Sequence, residues 1–292
     1  MSEEFLFQVK ELVKNKISAS INNTNIIEKS MRYSALSDSK MIRAGLIFAS
    51  SEINKNLSQE SVVSLAAAVE LMHTYSLIHD DLPCMDDDSL RRGQPSNHIK
   101  FGEANAVLAG DALQALAYEI ICDDDELSDS EKVYAMKILS QSCGKNGMVL
   151  GQQLDIENEN NSEPINQKKL NHIHNLKTGK LIECSVMLGQ IRSEINEHDK
   201  NVLKDFSKKI GLAFQITDDI LEVTQSQEML GKNKDSDIKN NKLSYVRAVG
   251  LDEAIDIAKS LTSNALLEID KSGIENKESI VNLAKYLVDR EY

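Results

Sequence analysis

The stretch that decides the fold runs from residue 62 to residue 93: Val62-Val63-Ser64-Leu65-Ala66-Ala67-Ala68-Val69-Glu70-Leu71-Met72-His73-Thr74-Tyr75-Ser76-Leu77-Ile78-His79-Asp80-Asp81-Leu82-Pro83-Cys84-Met85-Asp86-Asp87-Asp88-Ser89-Leu90-Arg91-Arg92-Gly93. Its first half carries apolar residues at Val62, Leu65, Ala66, Val69 and Met72. They lie three and four apart, the spacing that keeps one face of a helix apolar. The run continues through Leu77 and Ile78 into Asp80-Asp81, and Pro83 then turns the chain. Acidic residues at a helix C-terminus oppose the helix dipole. Carboxylates about 4 Å apart repel by roughly 4 kcal/mol at an effective dielectric near 20. A cation between them resolves the conflict, and Mg²⁺ bridging a phosphate is the natural candidate. Arg91 and Arg92 follow closely, and their guanidinium forks suit phosphate oxygens. The other reading of this segment is an ion-paired loop with no ligand.

The same spacing recurs along the chain. Helical stripes fall at Phe5–Ile21, Met41–Ile53, Ala104–Ile121, Val133–Ser142, Leu170–Leu188, Val202–Val223, Ala254–Leu267 and Ile280–Val288. Two-residue alternation and hairpin signals such as Asn-Gly between apolar runs are not found. With three Pro and no Trp, the composition suits long helices better than a many-turned β fold. The expectation is an all-α bundle, and with no break in composition, one domain over residues 1–292.

A second acidic cluster reads Phe214-Gln215-Ile216-Thr217-Asp218-Asp219-Ile220-Leu221-Glu222-Val223. Asp218 and Glu222 stand four apart, on one helix face. Like charges in that relation are unfavourable. Two readings stand: a solvated acidic edge, or a second wall of a metal site.

A formal charge of −13 argues against broad nucleic-acid or anionic-membrane binding. The four cysteines form no Cys-x-x-Cys pair and suit a reducing compartment. The acidic N-terminus lacks the pattern of a signal peptide. No apolar run approaches the ~20 residues of a membrane span. A cytoplasmic protein without a transmembrane segment is expected. Residues 123–126 read as a solvated loop, with Ser128 or Asp129 capping the next helix. Residues 155–169 read as a surface connection, and residues 231–242 as a lysine-rich loop. His172 and His174 point apart on a helix and are expected at the surface. His73 is open between a core histidine and a ligand. There is no phosphate-binding loop of the nucleotide type.

From His73 to Asp111 the chain carries Asp-Asp-x₄-Asp, Arg-Arg-Gly, Phe101-Gly102-Glu103 and Ala109-Gly110-Asp111. With Asp218-Asp219-x-x-Glu222, Lys177-Thr178-Gly179 and Gln215, this resembles a short-chain trans-prenyltransferase of the polyprenyl diphosphate synthase family. Within that family it is most similar to bacterial farnesyl diphosphate synthases. The likeness spans about residues 30 to 250.

The resemblance implies an all-α fold around a central cavity and head-to-tail condensation of isopentenyl diphosphate with an allylic diphosphate. It implies three Mg²⁺ ions held chiefly by Asp80, Asp86 and Asp218, with Asp81, Asp219 and Glu222 in support. Arg91, Lys177, Gln215, Lys232 and Lys242 would hold the allylic diphosphate. Ser39, Lys40, Arg43, His73 and Arg92 would hold isopentenyl diphosphate. Lys177, Thr178 and Gln215 would serve the chemistry, and a homodimer is implied. Tyr75, with Ser76, would form the floor that stops growth at fifteen carbons. The Leu-Pro-Cys-Met insert also resembles plant geranylgeranyl diphosphate synthases, so twenty carbons is the alternative.

The chain also departs from the family. Where Gly-Gly-Lys-Arg-x-Arg-Pro is usual it reads Asp38-Ser39-Lys40-Met41-Ile42-Arg43-Ala44. Asp38 or Ser39 is expected to cap the following helix, and an acid near a diphosphate is expected to weaken binding. Asp235, Asn241 and Val246 also replace usual residues, and Glu222 stands for Asp. These departures raise a second possibility, a non-catalytic subunit of the same fold. A terpene cyclase, the third, fits less well because the second motif reads Asp-Asp-x-x-Glu and Lys40 and Arg43 suit a second diphosphate.

Overall fold

The computed structural model describes residues 2–53, 55–159, 166–224 and 244–288. In chain order the helices are α1 (Ser2–Ser20), α2 (Ile26–Ala35), α3 (Ile42–Ser51) and α4 (Gln59–Asp80). A small ribbon, β1 (Leu90–Arg91) and β2 (Gln94–Pro95), follows. Then come α5 (Asn97–Phe101), α6 (Glu103–Cys122), α7 (Asp129–Cys143), α8 (Met148–Glu159) and α9 (Gln167–His174). A π-helical turn, Asn175–Gly179, leads into α10 (Lys180–Leu188). The chain then forms α11 (Glu197–Thr224), α12 (Tyr245–Val249), α13 (Leu251–Lys271) and α14 (Glu278–Val288). The expected all-α fold is thus observed.

Helix α4 runs through the middle, packed against α6, α3, α1, α2, α10 and α7. Its Leu65, Val69, Leu71, Met72 and Ile78 are buried, each worth roughly 1.5–3 kcal/mol relative to exposure. By length and composition α4 is apolar enough to span a membrane, but 78% of its most apolar window is buried inside the protein. Its hydrophobicity is therefore that of a core helix. A second apolar cluster forms where α11 packs on α13, α10 and α14. The ends of α4 and α11 thereby face one another across the interior.

Local chemistry sets the helix starts. Asn25 and Glu28 form a reciprocal capping box on α2. Ser128 does the same with Glu131 on α7, as expected from sequence. Four expectations are corrected. Residues 123–126 are not simply solvated, because Asp124 is buried and accepts bonds from Ser61 Oγ (3.0 Å), Glu126 N (3.0 Å) and Leu127 N (3.1 Å). This acid ties the α6–α7 turn to the start of α4. The surface connection of residues 155–169 begins inside α8, with Asp155 buried. The stripe at Leu170–Leu188 is not one regular helix, because the π-helical turn interrupts it; such turns recur at functional sites. And a hairpin does occur. Arg92 (φ 54°) and Gly93 (φ 74°) form a two-residue turn with both φ positive, the geometry that matches strand twist. Its Arg-Gly sequence lacks the usual Asn-Gly signal.

Candidate active site

The C-terminal end of α4, the hairpin, α8, the π-helical turn and α11 enclose a cavity of about 1110 Å³. On its first wall, Asp86 N donates to Asp80 O at 2.8 Å. The loop after α4 folds back, and both aspartates line the cavity. Asp81 does not. It is buried and accepts from Arg91 Nε at 2.9 Å and from Arg91 Nη2. Asp88 also meets Arg91 Nη2, at 3.2 Å. The geometry thus separates Asp81 from Asp80 and Asp86: it holds Arg91 in place at the cavity wall. Burial pulls the Arg91 pKa down, but Asp81, Asp88 and Asp80 more than offset it, so the guanidinium stays firmly charged. Asp80 is pushed up to about 7 by burial and by its neighbours Asp86 and Asp81, against Lys177 and Arg91.

On the opposite wall, Asp218, Asp219 and Glu222 of α11 line the cavity. Asp219 is committed to the protein itself. One oxygen accepts from Gln215 Nε2 at 3.0 Å, the other from the Tyr245 backbone N–H at 2.8 Å. Burial, with Glu222 and Asp218 nearby, outweighs those bonds and raises its pKa to about 7. Gln215 Oε1 in turn accepts the Thr178 hydroxyl at 2.6 Å. A hydrogen-bonded chain Thr178–Gln215–Asp219–Tyr245 therefore joins the π-helical turn to α11 and α12.

Among the described residues no three His, Cys, Asp or Glu side chains converge into a ready-made metal cage. Mg²⁺ rarely uses one; it takes one or two carboxylates and completes its shell with water and phosphate oxygens. The donor set fits that habit. Asp80, Asp86, Asp218 and Glu222 offer hard oxygens from two facing walls. The raised Asp80 pKa marks a place where uncompensated negative charge is costly.

Lys177 sits in the π-helical turn, and its Nζ bonds Asp155 Oδ2 at 2.6 Å. Small residues clamp the turn on both sides. A Cβ at Gly151 of α8 would lie 2.2 Å from Lys177 N, and one at Gly211 of α11 would lie 3.1 Å from Gly179 Cα. His174, one turn earlier, is buried and lines the cavity, whereas His172 is exposed. The surface expectation thus fails for His174, because α9 turns that face inward against Tyr245, ring centroids 5.7 Å apart. Burial holds its pKa down at about 4.

Wall residues not anticipated as site residues include His174, Gln152 and Asp155. Both amide atoms of Gln152 are buried without a hydrogen-bond partner among the described residues, and Gln152 and Asp155 line the cavity. Their i,i+3 spacing beside Gly151 was the signal available in the sequence.

The remaining expected residues divide. Lys40, Arg43 and His73 line the cavity, with Tyr75 and Ser76 further along α4. Tyr75 is buried, its ring edge-on to His79 at 5.7 Å. Burial, then Arg43, Arg92 and Arg91, push the His73 pKa far down, so its imidazole is neutral at pH 7. Arg92 belongs to the turn of the hairpin, at positive φ, and unlike Arg91 is not among the cavity-lining residues. It donates to Ser37 Oγ at 2.8 Å and lines a small adjoining pocket with Thr74 and Asn97. Ser39 is not among the cavity-lining residues. Lys232 and Lys242, with Asp235 and Asn241, lie outside the described residues.

Neither Asp38 nor Ser39 caps α3. Its N-cap is Met41, in the left-handed region at φ 45°, with no side-chain cap. Asp38 is instead paired with Lys10 of α1, whose bond and charge lower the carboxyl pKa.

An all-α fold with two facing acidic walls and separate groups of cations defines a class of protein that handles diphosphates. The match to the polyprenyl synthetase family model covers residues 24–284, and the chain belongs to that family of prenyltransferases. It is 40% identical over 273 residues to the farnesyl diphosphate synthase of Escherichia coli, covering 92% of this chain and 90% of that one. It is 38% identical over 292 residues to the geranylgeranyl diphosphate synthase of Cyanophora paradoxa, covering 98% and 95%. A geranyltransferase of Helicobacter pylori, solved with magnesium and isoprenyl diphosphate, superposes with a TM-score of 0.87 at 33% identity, covering 99% and 98%.

Proposed function

We propose that this protein condenses isopentenyl diphosphate head-to-tail with dimethylallyl or geranyl diphosphate, and that farnesyl diphosphate is its main product. The observation that carries this reading is the single cavity bounded by Asp80 and Asp86 on one side and Asp218 and Glu222 on the other. Lys177 and Arg91 stand beside these walls, while Lys40, Arg43 and His73 of the same lining would hold a second anion. Two anion sites suit two diphosphates.

Mg²⁺ bound by the acidic walls would neutralise the departing diphosphate and so favour ionisation of the allylic C–O bond. Lys177 and Arg91 would hold that diphosphate by charge-assisted hydrogen bonds. The allylic cation then needs oxygens without positive charge nearby and shelter from water. Thr178 Oγ1, fixed by its bond to Gln215, would supply such an oxygen, and the Gln152 amide oxygen a second. Lys40 and Arg43 would orient isopentenyl diphosphate for attack. The proton lost after bond formation goes to the released diphosphate.

Asp81 and Asp219 support the walls by holding Arg91 and Gln215. Asp81 therefore serves at one remove from the metals. Fifteen carbons are favoured by the buried Tyr75 on the cavity wall. Twenty carbons is the second reading, because relatives of nearly equal identity include geranylgeranyl diphosphate synthases. The free thiols and the core position of α4 suit a cytoplasmic protein. Exposed Val107, Leu108, Val133 and Tyr134 on α6 and α7 offer apolar surface for a homodimer.

The test is product analysis by mass spectrometry with dimethylallyl or geranyl diphosphate, isopentenyl diphosphate and Mg²⁺. A fifteen-carbon diphosphate is expected, lost in Asp80→Ala and on chelation of the metal. An absence of elongated product in the wild-type protein overturns the reading.

A further inference from the structure

Helix α3 begins without a cap of its own. Its N-cap residue, Met41, makes no side-chain cap bond, and the first turn of any helix leaves N–H groups unpaired. The partner comes from another helix. Glu70 of α4 is buried, and its Oε1 accepts the Ala44 N–H at 2.9 Å. Burial raises the Glu70 carboxyl pKa, while the Ala44 bond, the helix dipole and the neighbouring Arg43 and Arg92 favour its charged form. The turn so fixed carries Lys40 and Arg43 into the cavity.

Glu70 is also placed electrically. Burial weighs most on Arg43 and on Arg92, and for each the strongest charge that offsets it is Glu70. Arg43 Nε is buried with no hydrogen-bond partner among the described residues. A guanidinium kept in that condition needs a counter-charge close by. His73 is one turn further along α4, so Glu70 underlies the whole group of residues at this end of the cavity.

We infer that Glu70 is a positioning residue for the isopentenyl diphosphate site: it caps α3 from across the helix interface and acts as counter-ion to Arg43 and Arg92. The inference deepens the reading under Proposed function and rests on it for the identity of the ligand. Glu70 does not touch substrate; it acts through Lys40, Arg43 and Arg92. The allylic side is held by other elements, the π-helical turn and the acidic walls, and is independent of it.

The test compares Glu70→Ala and Glu70→Gln with wild type in steady-state elongation, each substrate varied in turn. It is repeated by calorimetric titration of isopentenyl diphosphate, which needs no turnover. Glu70→Ala is expected to raise KM and Kd for isopentenyl diphosphate at least tenfold, with KM for the allylic diphosphate changed less than twofold. Glu70→Gln keeps the shape and an acceptor for Ala44 but loses the charge. It is expected to give an intermediate rise of about threefold and guards against a misfolded alanine variant. Unchanged isopentenyl affinity in both variants overturns the inference. So does an equal rise for both substrates, which a merely structural role would give. A wild-type protein that binds isopentenyl diphosphate without elongating it refutes the proposed function, while the ratio of Kd values still tests Glu70.

Discussion

Adding one methyl group at Gly151 should cripple the enzyme without touching a charged residue. A Cβ at that position would lie 2.2 Å from Lys177 N, 2.6 Å from Lys177 Cα and 2.8 Å from the Leu176 carbonyl carbon. All three are backbone atoms, so no flexible side chain can yield. Non-bonded carbons reach their optimum at roughly 3.5–4.0 Å, and α8 must therefore withdraw from the π-helical turn by about 1 Å. Overpacking of this kind costs about 1–3 kcal/mol. In a chain of this size that corresponds to a melting point lower by a few degrees, at roughly 2–4 °C per kcal/mol. The functional effect should be larger. Asp155 is on α8 one turn beyond Gly151, and its 2.6 Å bond to Lys177 Nζ spans the joint that must open. A catalytic group misplaced by about 1 Å loses up to ~100-fold in rate. Thermal melting and elongation kinetics with the allylic diphosphate varied are the assays. A drop of 10- to 100-fold in kcat/KM for the allylic substrate is expected, with KM for isopentenyl diphosphate nearly unchanged. Wild-type kcat/KM together with a wild-type melting point would show that the close approach of α8 does not set Lys177, and would refute this account.

Two further outcomes are expected. Tyr75→Ala should open the wall beside His79 and lengthen the product beyond fifteen carbons, read by mass spectrometry of the dephosphorylated alcohols. An unchanged product would remove Tyr75 as the floor. His174 should make the fold acid-sensitive. Its folded pKa, about 4, lies below the ordinary value of 6.5 because of burial, so below pH 6.5 the unfolded chain takes up a proton that the fold refuses. The contribution is complete above pH 6.5 and is lost progressively as pH falls toward 4, by up to ~3 kcal/mol. Asp80 and Asp219, raised to about 7, act in the opposite sense, so the informative quantity is a difference. The melting point of His174→Gln should fall less than that of wild type between pH 6.5 and pH 5, and parallel curves would count against a neutral buried His174.

Long amphipathic helices were legible because their signal is periodic and needs only local sequence. The stripe from Val62 to Ile78 became α4, and that from Val202 to Val223 became most of α11. Short or polar elements carried too little periodicity to read: α2, α5, α8 and α12 were not anticipated, nor was the Arg92-Gly93 hairpin. The acidic clusters were visible as composition, but not which oxygens face the cavity. That depends on the turn after α4, where the bond from Asp86 N to Asp80 O aligns two aspartates and leaves the third with Arg91. Gln152, Asp155 and His174 were hidden for the same reason. Only the docking of α8 and α9 on the π-helical turn turns them inward.

The substituted segment at Asp38–Ala44 shows how a local departure can be offset from outside. Read alone, Asp38 is an acid beside an anion site, Met41 a missing cation and Ala44 a missing proline. In the fold each change has a separate local consequence. Asp38 is paired with Lys10 on α1, an exposed pair that solvent screens, and it is not among the cavity-lining residues. Met41 is buried in the core cluster and contributes packing where an arginine would need a counter-charge. Ala44 restores an N–H that proline lacks, and Glu70 accepts it. Lys40 and Arg43 consequently reach the cavity. On the proposed reading, the two acids around the altered motif matter as much to an isopentenyl diphosphate site as the motif itself. Asp38 is drawn away by Lys10, and Glu70 is drawn in beneath Arg43.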